Sequence, residues 1–264
     1  MKPSHFLVLS LVFEFLTSGI VHAYGSYGRE DQTMISNGQG VSSPSFWEGL
    51  KSQNPAGLSY NQRLKFQAGA AAFGSDLDPI RASGGVLFGS SVLGGGIEYS
   101  QFDSGAYSSG TGAIQWGLGG NIDALRLRLG VSGRHLSGAN GSYTVGLLFE
   151  PVRAVRFGLM VPSIQNGMDV VGAGLTFMLD PAIDLVVDGS LAPSTSHGVV
   201  KPGITFHSDR FQVSASYGFR YRGTTDPLLY ARFSGALGLK VSDHVFLEYS
   251  YRGLPEHLLG LTLR

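Results

Sequence analysis

The 264 residues carry 19 Lys plus Arg against 19 Asp plus Glu, a formal net charge of +0, with 14% charged residues, 43% hydrophobic residues, 39 Gly and no Cys. That balance lacks the basic footprint of a nucleic-acid binder, and the missing thiols exclude disulfides and thiolate metal sites. A charged fraction well below the usual ~25% implies that much of the surface does not face bulk water, in a chain long enough for one large β domain.

Residues 1–23 read as a secretory signal peptide: Lys2, an apolar run from Phe6 to Phe13 that Glu14 closes, then Val21-His22-Ala23 at the cleavage positions. Past Ala23 no apolar run reaches the ~20 residues that a membrane helix requires, so the exported chain is expected to be either soluble or a barrel. Residues 24–61 are Gly-rich (Gly25, Gly28, Gly38, Gly40, Gly49) and polar, without alternation, and read as an N-terminal hatch or plug. They end in Asn54-Pro55-Ala56-Gly57-Leu58, turn chemistry placed directly before the first alternating run.

Residues 62–264 change character. Runs of about nine to twelve residues recur, and strands are predicted near 63–73, 80–89, 91–102, 110–119, 124–135, 142–150, 153–162, 168–179, 182–192, 197–207, 210–221, 228–240, 244–252 and 256–264. That is about fourteen, with twelve as the alternative because the runs up to Gly120 are weakly patterned. Asp78-Pro79, Asn121-Ile-Asp123, Glu150-Pro151, Asp180-Pro181, Ser208-Asp209, Asp226-Pro227 and Ser242-Asp243 punctuate them. The fold class expected is all-β: a transmembrane antiparallel β-barrel with an N-terminal plug segment.

Parity carries the membrane argument. In Arg210 to Tyr221, residues Phe211, Val213, Ala215, Tyr217, Phe219 and Tyr221 share one face, while Gln212, Ser214, Ser216, Gly218 and Arg220 share the other. Leu125, Leu127, Leu129 and Val131 likewise oppose Arg126, Arg128, Ser132 and Arg134, and Val155, Phe157, Leu159 and Val161 oppose Arg156 and Gly158. Ile183, Leu185 and Val187 oppose Asp184 and Asp188; Val245, Leu247, Tyr249 and Tyr251 oppose Glu248, Ser250 and Arg252. An Arg or Lys facing lipid at mid-membrane costs a barrel ~2–4 kcal/mol, so charges on one parity fit a wall with hydrocarbon on the other. Tyr217, Phe219, Tyr221, Tyr230, Tyr249 and Tyr251 read as an interfacial aromatic girdle. The competing reading is the aromatic core of a secreted β-sandwich.

The expected lumen-lining set is Arg126, Arg128, Arg156, Asp184, Asp188, Arg220, Arg232, Glu248 and Arg252. With Lys65, Arg81, Arg134 and Lys240 it holds an excess of cations over Glu98, Glu150 and the other acids. That excess either attracts anionic solutes by focusing a positive potential or pairs with Glu30, Asp31 and Glu48 of the plug in a closed barrel.

Asn54-Pro55-Ala56-Gly57-Leu58, followed by Leu64-Lys-Phe-Gln-Ala-Gly69, resembles the long-chain fatty acid transporter family of outer-membrane proteins. The resemblance implies a hatch ending in the motif Asn54, Pro55, Ala56 and leading into the first barrel strand. It implies passive uptake of hydrophobic or amphipathic small molecules through the outer membrane of a Gram-negative bacterium. It also implies a sideways opening at a kink in the third strand, for which Gly94, Gly95 and Gly96 are the candidates. The chain is shorter than typical members of that family. A closed structural barrel without transport is the alternative.

Enzyme chemistry has one weak candidate, His135-Leu-Ser137 followed by Asn140-Gly141, which faintly resembles the His-x-Ser element of outer-membrane lipid hydrolases, with no orienting acid. No catalytic residue, metal site or cofactor is assigned: the remaining His residues lack ligand spacing, and the Gly-rich runs lack the strand-to-helix context of a phosphate loop. The expected partners are outer-membrane lipid, a hydrophobic or amphipathic small-molecule substrate and the barrel assembly machinery. Leu259-Gly-Leu-Thr-Leu-Arg264 resembles an assembly signal that ends in Arg where an aromatic residue is usual.

Overall fold

Period-two alternation gives each strand one apolar and one polar face, and joining the first strand to the last satisfies every backbone edge without a second layer. The computed structural model describes residues 41–42, 54–60, 64–73, 81–90, 92–102, 111–136, 141–162, 164, 171–192, 197–222, 232–252 and 256–263. The strands are β1 (Lys65–Phe73), β2 (Arg81–Gly89), β3 (Leu93–Phe102), β4 (Thr111–Ile122), β5 (Leu127–Leu136), β6 (Ser142–Val152) and β7 (Val155–Val161). There follow β8 (Val171–Asp180), β9 (Ile183–Ala192), β10 (His197–His207), β11 (Phe211–Arg222), β12 (Arg232–Lys240), β13 (Val245–Arg252) and β14 (Glu256–Leu263). All fourteen pair antiparallel with their chain neighbours, and β1 pairs with β14 from Phe66↔Leu263 to Phe73↔Glu256, closing one barrel.

The two faces separate as the alternation predicts. Leu129, Phe149, Phe157, Leu159, Phe177, Leu185, Val187, Phe211, Tyr217, Phe219, Leu237 and Leu247 are exposed, whereas Ser132, Thr144, Thr176, Asp184, Asp188, Ser214, Ser216 and Ser234, on the opposite parity of the wall, are buried. Apolar side chains point out all round the wall, so the exposed surface is a hydrocarbon-facing belt. Aromatic contacts lie on this face: Tyr217 meets Phe219 edge-on at 5.0 Å, and Tyr143 meets His135 at 5.6 Å. Tyr221 and Tyr230 of the expected girdle lie outside the described side chains.

One end of the barrel has tight connections. Ser90 Oγ accepts from the N–H of Val92 and Leu93, Asp180 Oδ1 from Ala182, and Ser208 Oγ from Arg210 and Phe211. Each side chain thus replaces a ladder partner where the chain reverses. The start of β1 and the end of β14 lie at this same short-turn end. The expected signal peptide (1–23), most of the expected hatch (24–61) and the predicted loops near 76, 105, 138, 165, 194, 225 and 254 lie outside the described residues, apart from the few named above.

Two expectations are corrected. The fifth strand was expected from 124, with Arg126 lining the lumen, but Asp123–Leu125 forms a 3-10 turn closed by the Arg126 N–H on the Asp123 carbonyl at 3.0 Å. Arg126 therefore sits at φ 50, exposed, its Nη1 donating to the Pro151 carbonyl at 2.9 Å, and β5 begins at Leu127. The alternation of Leu125 with Leu127 continues across a turn and so overran the strand.

The second correction concerns Gly94, Gly95 and Gly96. The ladder runs without a register shift on both sides of them, from Gly89↔Gly94 to Arg81↔Phe102 with β2 and from Leu93↔Gly120 to Phe102↔Thr111 with β4. No sideways opening is present there. On the outer face Phe88 and Leu118, the register partners of Gly95, occupy the space its side chain would take, and on the inner face Leu87 does the same for Gly96.

Candidate functional site

The third-strand glycines belong to a longer feature. Gly94, Gly119, Gly130 and Gly146 are successive cross-strand partners on β3 to β6. On β7 to β10, Gly158 pairs with Gly174, Gly174 with Asp188 and Asp188 with Lys201. All lie on the inward parity. A Cβ on any of the six glycines would come within 3.0 Å of an atom of residues 41–42 or 54–60, or of Asp188. At Gly119 it would meet the Pro55 carbonyl oxygen at 2.6 Å, at Gly130 the backbone of Pro55 and Ala56, and at Gly94 and Gly158 the carbonyls of Leu58 and Val41. Glycine is needed along this track because main chain lies directly on main chain at Gly94, Gly119, Gly130 and Gly158, while Gly146 and Gly174 make room for the side chains of Asn54 and Asp188.

The 3-10 turn Pro55–Tyr60 rests on β2 to β6, and its apolar contact is Leu58 against Leu87. Directional bonds do the rest. Asn54 is fully buried over Gly146; its Nδ2 lies within bonding distance of the carbonyls of Val41 (2.9 Å), Leu159 (3.0 Å) and Leu147 (3.1 Å), and its Oδ1 accepts from the Ala56 N–H at 3.1 Å. Asn54 thereby ties two stretches of the N-terminal segment to the β6–β7 seam, and Pro55, which needs no N–H partner, follows it. Asn54→Ala is expected to cost ~1–3 kcal/mol by leaving these groups unmatched. Faster proteolytic cutting of the segment in the purified protein, with the barrel's gel mobility unchanged, is the check.

Asp188 anchors the other stretch. Its carboxylate accepts from the backbone N–H of Val41 and of Ser42, both at 3.1 Å, and from Ser42 Oγ at 2.6 Å. Ser42 Oγ also meets Thr176 Oγ1 at 2.9 Å. Asp188 is fully buried and Lys201, its register partner on β10, is 1% exposed.

At the short-turn end of the segment, Tyr60 donates its hydroxyl to Glu150, which also accepts from Arg156 Nε at 2.7 Å. The Arg128 guanidinium lies over the Tyr60 ring at 3.8 Å and donates to Ser59 Oγ at 3.0 Å; that of Arg156 is 5.2 Å from the same ring. Burial pushes the Tyr60 hydroxyl up to about 12, so it stays a neutral donor.

The expected lumen residues thus divide. Arg128, Arg156, Asp184 and Asp188 are on the inward parity, with Asp184 held to His207 Nε2 at 2.8 Å and Arg128, Arg156 and Asp188 at the segment. Arg220, Arg232, Glu248 and Arg252 occupy backbone positions in step with inward Ser216, Ser234 and Gly238, and their side chains lie outside the described residues. His135 is on the outer face against Tyr143, and Ser137 lies outside the described residues. Sequence reasoning missed Tyr60, Ser42, Lys201 and the glycine track; the recurrence of Gly one or two residues from an Arg on several strands was the available signal.

No family model matches the chain, and no curated protein matches it by sequence. Among solved structures, the chain is similar to the CymD monoaromatic hydrocarbon channel, with a TM-score of 0.58 at 10% identity over 87% of this chain and 96% of that one. It is also similar to the outer-membrane protein Omp33 of Acinetobacter baumannii, with a TM-score of 0.50 at 10% identity over 78% and 97%. The closed barrel and its lipid-facing belt give the chain the fold of an outer-membrane β-barrel and place it in the outer membrane.

Proposed function

We propose that the chain is a passive channel for small hydrophobic or amphipathic molecules, a short relative of the long-chain fatty acid transporters whose N-terminal segment narrows the lumen. The observation that carries this reading is the seat of residues 41–42 and 54–60 on the inner wall of the barrel. The described contacts of residues 41–42 and 54–60 fall on β2 to β9, and the inner wall of β10 to β12 is polar as well, with Thr205, Ser214, Ser216 and Ser234 buried along it. Residues seated on the inner wall narrow the passage that a closed barrel encloses. The similarity to a hydrocarbon channel supports the apolar part of the solute class, and the hydroxyls suit a solute with one polar group. Outer-membrane lipid and the assembly machinery are its further proposed partners.

The purified protein in a planar bilayer is expected to give small single-channel steps, and removal of residues 24–61 to enlarge them several-fold. Silence in both forms would make the chain a sealed structural barrel.

A further inference from the structure

The outer face of β3 to β6 carries a group of rings that the channel reading leaves unused. Three of them lean toward the next strand over a glycine. A Cβ on Gly112 would lie 2.6 Å from the Tyr99 hydroxyl oxygen, one on Gly133 2.7 Å from Trp116 Nε1, and one on Gly141 2.6 Å from His135 Nδ1. Tyr143 meets two of these rings edge-on, Trp116 at 6.4 Å with 62° between the planes and His135 at 5.6 Å with 78°. Tyr99, His135 and Tyr143 are exposed, and Trp116 is partly so. All four rings are in the halves of their strands remote from the short turns; short turns mark the periplasmic end of such barrels, so the group faces the outer leaflet. A second aromatic group on the outer face, Tyr217, Phe219, Phe233 and Tyr251 on β11 to β13, carries no ring nitrogen.

We infer that the corner made by Trp116, His135 and Tyr143 binds the headgroup of a phosphorylated glycolipid of the outer leaflet. The C–H bonds on one face of a pyranose ring are weakly positive and seat on the electron-rich face of an aromatic ring, which an aliphatic side chain does not offer. The bare glycines let Trp116 and His135 settle against the wall, and Tyr143, set steeply to both, closes one side of the corner. Trp116 Nε1 and the His135 imidazole supply N–H donors, which sugar hydroxyls and phosphate oxygens accept. Nearer the short turns the outward residues of the same strands are Ile97, Leu118, Leu129 and Phe149, suited to acyl chains, so the polar ring edges fall where chains give way to headgroups. This narrows the outer-membrane lipid proposed above as a partner, and it rests on the membrane placement of the barrel and not on transport.

The test titrates two lipids into the detergent-purified full chain and counts bound copies by native mass spectrometry. Bis-phosphorylated lipid A offers sugars and phosphates; phosphatidylglycerol offers a phosphate and no sugar. Lipid A should bind the parent, and about tenfold more weakly in Trp116→Ala and in His135→Ala. His135→Phe, which keeps a ring and removes its nitrogens, should lose the preference for bis-phosphorylated over monophosphorylated lipid A. Tyr217→Ala, in the second aromatic group, should bind as the parent does, which separates this corner from a general aromatic belt. Heat-shifted gel mobility reports folding, and should Trp116→Ala fail to fold, the two His135 variants carry the test. Undiminished lipid A binding in the alanine variants, an equal loss in Tyr217→Ala, or no lipid A binding by the parent would overturn the assignment. Phosphatidylglycerol held as tightly as lipid A rejects the headgroup site and leaves the lipid partner standing. A loss confined to the Trp116 and His135 variants keeps the site even where the bilayer recordings are silent.

Discussion

Replacing Gly130 by leucine is expected to unseat residues 54–60 while leaving the barrel closed. Gly130 is on β5 between Gly119 and Gly146, and a Cβ there would overlap the main chain of Pro55 and Ala56. A flexible side chain could move aside, but two peptide groups held by Asn54 and by the wall cannot. Overpacking of this kind costs ~1–3 kcal/mol or more, so the ratio of seated to unseated segment should fall roughly 5- to 150-fold. The ladder itself does not depend on Gly130 lacking a side chain, since its backbone pairs are made by N–H and C=O. Gly120 on the same seam is the control, because a Cβ there meets nothing closer than 4.0 Å. Gly130→Leu should therefore expose the segment to protease and raise conductance, and Gly120→Ala should do neither. Identical protection in both variants would show that contact along the track does not hold the segment.

Asp188→Ala should be the more damaging change. Three donors of Val41 and Ser42 converge on that carboxylate, which has no exposure to water, and Lys201 opposite it is equally deep. Removing the acid leaves two buried N–H groups and a hydroxyl short of an acceptor, and takes the negative charge from beside Lys201, its cross-strand neighbour. Losing one member of such a buried charged set costs ~3–5 kcal/mol. The expected result is a lowered urea midpoint in detergent together with release of the segment around residue 42. Asp188→Ala with Lys201→Met should recover part of the stability, since it removes the buried neighbouring cation as well as the acid. An unchanged midpoint in the single variant would mean that the carboxylate is not the anchor.

Much of the wall was legible in the sequence. The alternation in Arg210 to Tyr221 places Phe211, Tyr217 and Phe219 outside and Ser214, Ser216 and Gly218 inside, and the turns at Asp180-Pro181, Ser208-Asp209 and Ser242-Asp243 fall where alternation stops. Where reading by alternation failed, a local rule met a non-local competitor. Arg126 kept the rhythm of Leu125 and Leu127 but was taken by a turn. Gly94, Gly95 and Gly96 had the composition of a weak strand, yet the strands on either side supply an unbroken ladder and the inner face takes the carbonyl of Leu58.

The sequence alone determined the barrel: one apolar and one polar parity per strand, an even tally of about fourteen strands, and Asn54-Pro55-Ala56 as the punctuation before the first. These are properties of neighbours in the chain, because side-chain alternation and turn chemistry act over a few residues. Only the tertiary structure decided that Gly94, Gly119, Gly130 and Gly146 stand side by side, that Asp188 meets Ser42, and that Arg128 rests on Tyr60. Those meetings depend on the register at which each strand pairs with the next around a closed sheet. Register is set by closure and by the buried face as a whole, so no single stretch of the chain contains it.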